Sequence, residues 1–293
     1  MTAGPKNLKH SVAKRRDKRG ERKAGSSPNT SEVNVTGVDA YSPAEIAMRV
    51  ETSGITKAQM PLDKLLMLGA LAGAFIAFGA ALYTQVLIGS TMGAGPTRLL
   101  GGAAFSLGLV LVVIGGAELF TGNNLIVMAW ADGKVSIRSL LRNWGVSYVA
   151  NGFGALTIVA LMLLSGLLNT EAAREFVIAI AEAKMQLPFM QAFVRGILCN
   201  ALVCMAIWLS FASHRVSGKI LAILFPVTAF VALGFEHSIA NFYLIPIGLA
   251  LGAEGGISGL ISNLIPVTLG NIAGGGGAVA VVYGIIYRRD AQG

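Results

Sequence analysis

Two short stretches in the middle of long apolar runs hold the residues able to do chemistry. Gly116-Ala117-Glu118-Leu119-Phe120-Thr121-Gly122-Asn123 and Gly234-Phe235-Glu236-His237-Ser238-Ile239-Ala240-Asn241 share the pattern Gly-x-Glu-x-x-x-x-Asn. Ionisable and polar groups at membrane depth are costly, so they mark functional positions first. Glu118 and Glu236 occupy equivalent positions, which suits a structural role, the acceptance of hydrogen bonds from backbone N–H groups freed at a helix break. His237 has no such twin, because its counterpart is the apolar Leu119. An apolar surround disfavours the charged imidazolium, and an arriving anion favours it again. That coupling suits the handing of a proton to a weak-acid anion, which then crosses the apolar part of a path as the neutral acid.

A second pair of patterns repeats in the same order. Asn143, Asn151 and Gly154 match Asn263, Asn271 and Gly274, both reading Asn-x7-Asn-x-x-Gly. Two matches in one order imply a duplicated unit.

The elements that carry these motifs are membrane spans. Of the 293 residues, 54% are hydrophobic and only 13% charged, against about 25% charged in soluble domains. About 20 apolar residues span the hydrocarbon core as a helix. Six spans are expected, near 65–89, 98–131, 143–168, 187–212, 219–251 and 262–287. The second and fifth are overlong and carry the polar interruptions. A unit of three spans ends on the side opposite its start, so its second copy is inverted. Inverted repeats place a solute path at their interface, between helices broken in corresponding places. Broken helices also present N–H groups with a positive dipole end, which attract anions without a fixed charge.

Outside the spans, residues 1–40 read as a basic disordered arm, with nine Lys/Arg among the first 24 residues. Residues 41–64 read as an amphipathic surface helix and lead-in, with Ser42 and Glu45 forming a capping box. The channel domain covers 65–288 and a short tail 289–293. Lys and Arg favour the side holding both termini, which is expected to be cytoplasmic in a multi-pass plasma-membrane protein, with a bacterial inner membrane as the expected setting. Cys199 and Cys204 sit five apart in one apolar run and read as packing residues. The run Gly274–Gly277 reads as close helix packing.

The motifs at residues 116–123 (GAELFTGN), 196–200 (GILCN), 234–246 (GFEHSIANFYLIP) and 263–275 (NLIPVTLGNIAGG) resemble the formate/nitrite transporter family. The similarity runs from about Tyr41 to Arg289 and leaves out the basic arm. The resemblance implies an all-α, aquaporin-like protomer of six helices, a homopentamer with one pore per protomer, and passage of small monovalent anions (formate, nitrite or hydrosulfide) often coupled to protons. It implies that Leu119, Phe120 and Thr121 form a mobile loop, that Thr121 bonds His237, and that Asn200 lines the path beside that histidine. It further implies two apolar constrictions, with Phe105 and Leu109 on one side of the cavity and Phe120 and Phe230 on the other. Lys184 would draw anions into a vestibule, while Glu118, Glu236, Asn123 and Asn241 would hold the helix breaks.

Formate is the expected solute, with nitrite or hydrosulfide the alternative within the family. A water or glycerol channel is less favoured, because Asn-Pro-Ala motifs are absent and the nearest run is Asn263-Leu264-Ile265-Pro266. No nucleophile–base pair, metal-ligand cluster or phosphate loop is legible. An enzyme, a metal, a cofactor and a nucleic-acid partner are therefore not expected.

Overall fold

The computed structural model describes residues 40–289. The basic arm, apart from Ala40, and the last four residues lie outside the described residues.

The chain folds as two copies of one helical plan. The first copy opens with α1 (Pro43–Ala58), which carries the expected capping box at Ser42 and Glu45. Then come α2 (Leu62–Leu87) and α3 (Ala94–Gly115), the latter closed by Gly116 at φ 78°. After the break, α4 (Phe120–Asn123), a 3₁₀ turn (Asn124–Ile126) and α5 (Val127–Ala131) complete the second span. The copy ends with α6 (Ile137–Leu164).

The second copy runs in the same order: α7 (Glu171–Met185), α8 (Phe189–Ala212), α9 (Val216–Ala232), a break, and α10 (Ser238–Leu251). The last span joins α11 (Gly256–Ile272), a π-helical stretch (Ala273–Val281) and α12 (Val282–Arg289). Pro61 and Pro188 stand at the N-caps of α2 and α8. Gly116 and Gly234, at φ 78° and 72°, turn the chain out of α3 and α9; only glycine adopts that conformation at no steric cost.

Among the described residues, five helical runs are long and apolar enough to cross a membrane, and the shorter apolar α9 and α10 supply the broken fifth span. Sequence patterning missed α7, which lies between the expected third and fourth spans. Its short amphipathic character resembles that of α1, its counterpart. Neither is merely a surface helix: α1 buries Ile46, Val50 and Gly54, and Gly54 packs on Ile126. The π-helical stretch was also not legible. Three of its glycines do pack closely as expected, Gly274 against Ile197, Gly275 against Asn200 and Cys204, and Gly276 against Val127, whereas Gly277 faces open space. Cys199 and Cys204 are buried free thiols.

Candidate functional site

Each break is held by a matched network. At the first, Glu118 accepts from Lys57 Nζ at 2.7 Å and from Asn123 Nδ2 at 2.9 Å. At the second, Glu236 accepts from Lys184 Nζ at 2.8 Å and from Asn241 Nδ2 at 2.7 Å. Asn123 and Asn241 also donate to Asn143 and Asn263, at 2.9 and 2.7 Å. Those two asparagines in turn donate to the carbonyls of Lys57 and Lys184, at 2.9 and 2.8 Å.

The backbone N–H groups freed at the breaks go elsewhere. Asn151 Oδ1 accepts from the Phe120 N–H at 2.8 Å, and Asn271 Oδ1 accepts from the Ser238 N–H at 2.9 Å. The carboxylates of Glu118 and Glu236 therefore bond lysine and asparagine side chains, where freed backbone N–H groups were the expected partners. Each glutamate precedes the N-cap residue, Leu119 or His237, and its carboxylate reaches the lysine of α1 or α7. Sequence reasoning missed Lys57 and met Asn143, Asn151, Asn263 and Asn271 only as a repeated pattern, without a role at the breaks. The matched Asn-x7-Asn patterns were the available signal for the asparagines, and nothing marked Lys57.

Leu119 and His237, equivalent in the repeat, lie on the two breaks. His237 Nδ1 accepts from the Ala240 N–H at 3.1 Å and so caps α10. In the neutral ring the remaining nitrogen, Nε2, then carries the proton, and it lies 3.0 Å from Thr121 Oγ1. Asn200 is buried beside this pair, donating to the carbonyls of Thr121 at 3.2 Å and Asn271 at 2.6 Å. Thr121, His237 and Asn200 are thus brought together at the centre of the protomer.

Two chambers flank this centre. One, of about 300 Å³, lies on the α1 side and is lined in part by Lys57, Glu118, Leu119 and Asn123. The other, of about 70 Å³, lies on the α7 side and is lined in part by Phe105, Lys184, Phe230, Glu236 and His237. Phe105 and Phe230 meet edge to face at 5.7 Å between centroids. This corrects the expected split, which set Phe105 opposite Phe230: α3 and α9 are equivalent helices packed against each other, so both rings fall in one chamber. Phe120 packs instead against Tyr148, at 4.9 Å, and Trp144, at 6.3 Å. Leu109 is buried in the same core. Lys184 does line a chamber, but as the partner of Glu236 and not as an unpaired surface cation.

Fold and geometry define a multi-pass helical membrane protein with a buried polar centre between two chambers. The chain belongs to the formate/nitrite transporter family, whose profile matches residues 44–285. It is 41% identical over 250 residues to the uncharacterized transporter YrhG of Bacillus subtilis strain 168, covering 84% of this chain and 94% of that one. It is 39% identical over 274 residues to the formate channel FocA of Escherichia coli strain K12, covering 86% and 96%. A solved structure described as a pentameric formate channel with formate bound matches with a TM-score of 0.72 at 39% identity, covering 78% of this chain and 98% of that one. An ion channel of the same family matches with a TM-score of 0.75 at 29% identity, covering 83% and 98%.

Proposed function

We propose that the chain carries a small monovalent anion, formate first, along a path joining the two chambers past Leu119 and His237. The observation that carries this reading is the Thr121–His237 pair, buried between chambers that each hold a lysine. Lys57 and Lys184 favour anions at the two mouths, while their glutamate partners keep the attraction weak enough for release, as conduction requires. The helices that start at the breaks add positive dipole ends without fixed charge. Leu119 and the Phe105–Phe230 pair are the apolar parts that disfavour a hydrated ion. At the centre, the His237 ring takes up a proton from the adjoining chamber, which releases the Ala240 N–H from Nδ1, and returns to neutral by giving a proton to the anion, so that the neutral acid passes where the anion does not.

Relatives named as formate channels support formate. The same chemistry accommodates nitrite and hydrosulfide. A neutral-solute channel is disfavoured because a lysine lines each chamber. The protomer assembles as a homopentamer, in keeping with the description of the matching solved structure. Its exposed apolar side chains meet lipid and neighbouring copies. The α1 side faces the cytoplasm of a plasma membrane, by the distribution of Lys and Arg.

Uptake of labelled formate into proteoliposomes over a pH series, with nitrite and hydrosulfide as competitors, tests the reading. Saturable uptake rising with acidification supports it, and the order of competition ranks the anions. Absence of formate flux at any pH in folded, inserted protein overturns it.

A further inference from the structure

The two chambers are related residue by residue, so their differences are informative. The Ala117 N–H donates to the Val112 carbonyl at 2.9 Å and the Phe235 N–H to the Phe230 carbonyl at 3.0 Å, which fixes the register of α3 against α9. Asn151 and Asn271 donate to the carbonyls of Gly69 and Gly196, which fixes α2 against α8. In that register Tyr83 and Phe230 of the α7-side chamber become Ser210 and Val112 on the α1 side. These exchanges of aromatic for small side chains contribute to the difference between about 300 Å³ on one side and about 70 Å³ on the other.

One exchange adds charge. Lys219, in the first turn of α9, lines the α1-side chamber, and the same register places Gly101 at its counterpart in α3. Lys219 is half-buried. Its ammonium has no carboxylate or hydrogen-bond partner among the described residues. Lys57, in the same chamber, is already held by Glu118 and Asn123. The wider chamber therefore carries one cation whose charge is not cancelled locally, whereas Lys184, the cation lining the narrow chamber, is paired with Glu236.

We propose that Lys219 makes the α1-side chamber a holding station for a small monovalent anion, so that the path binds its solute more tightly from that side than from the other. Low-dielectric walls focus the field of such a charge and raise the local concentration of counter-ions. Ser53, on the same chamber wall, offers a hydroxyl donor to the held anion. This proposal rests on the transport reading for its consequence and on Lys219 for its site.

The test uses the full chain in vesicles sorted by whether a C-terminal affinity tag lies outside, since α1 and α12 share one side. Initial flux of labelled formate is measured from each side for wild type, Lys219→Gln and Lys219→Arg. The expected result is a half-saturating concentration raised about three- to tenfold from the α1 side in Lys219→Gln, at the low end of electrostatic focusing in clefts. It should stay within about twofold from the α7 side, and Lys219→Arg should restore the wild-type value. Added potassium gluconate should weaken α1-side saturation in wild type and not in Lys219→Gln. Equal shifts on both sides, or no shift with flux intact, overturn the proposal. If wild type carries no formate, the transport reading fails separately. The station is then judged by line broadening of ¹³C-formate with purified protein: loss in Lys219→Gln supports it, and equal broadening overturns it.

Discussion

Asn151 and Asn271 play the same part in the two repeats: each accepts the first freed N–H after a helix break, from Phe120 at 2.8 Å and from Ser238 at 2.9 Å. Each also donates to two carbonyls, Gly69 and Glu118 for Asn151, Gly196 and Glu236 for Asn271. Non-helical backbone at membrane depth survives only where its polar groups are satisfied by protein or water. Asn151→Ala or Asn271→Ala should therefore lower stability by about 1–3 kcal/mol or more, since several buried groups lose a partner. Thermal unfolding in detergent reads this as a lower Tm for either variant; an unchanged Tm would remove the asparagines from the account.

The pair Lys184–Glu236 is largely buried, at 2.8 Å with side-chain exposures of 16% and 4%. Removing one partner strands a buried charge, which typically costs roughly 3–5 kcal/mol, whereas neutralising both is far milder. Lys184→Met should be markedly less stable than the double variant Lys184→Met/Glu236→Gln. Comparable losses in the single and double variants would mean that the pair's charge is solvated.

Gly154 and Gly145 lie on the same helix with opposite surroundings. A Cβ at Gly154 would collide with the Ala70 carbonyl, while one at Gly145 meets nothing within 4 Å. Gly154→Ala should yield little folded protein and Gly145→Ala near-normal amounts, as judged by monodisperse elution in size-exclusion chromatography. Equal yields would contradict the close approach of α6 to α2.

At the start of α1, hydrogen bonds from the Ser42 backbone and hydroxyl hold the fully exposed Glu45 carboxyl below its ordinary value of 4.5. A lowered folded-state value means the cap contributes stability above the ordinary value and loses it as pH falls through the lowered one. Amide exchange in the first turn of α1 should accelerate at pH below about 4 relative to neutral pH, beyond the intrinsic trend. In Glu45→Gln that extra acceleration should vanish; its persistence would assign the effect to another group.

How much of the fold and site was legible in the sequence follows from where the signals lie. Span number, the two breaks and the duplicated order are carried by long apolar runs and by Glu, Asn and Gly at fixed spacings, which survive as pattern. The pairing of Thr121, His237 and Asn200 came from the family resemblance, because Thr121 and His237 lie 116 residues apart and give no spacing signal. Helix α7 was hidden because a 15-residue amphipathic helix between two spans reads as a loop with charges. Lys57 was hidden because its partner Glu118 lies 61 residues away. The side on which Phe120 packs was not legible either, since a phenylalanine beside a break satisfies any apolar neighbour, and only the positions of Trp144 and Tyr148 decide it.

The central claim is that His237 supplies the proton that lets the anion cross. His237→Asn isolates it, because asparagine is a good N-cap and can accept the Ala240 N–H in place of Nδ1, yet cannot titrate. Labelled formate uptake into proteoliposomes should rise with acidification in wild type. In the variant, with fold and assembly retained, uptake should be strongly reduced and lose that rise. A wild-type pH profile in His237→Asn would contradict the account.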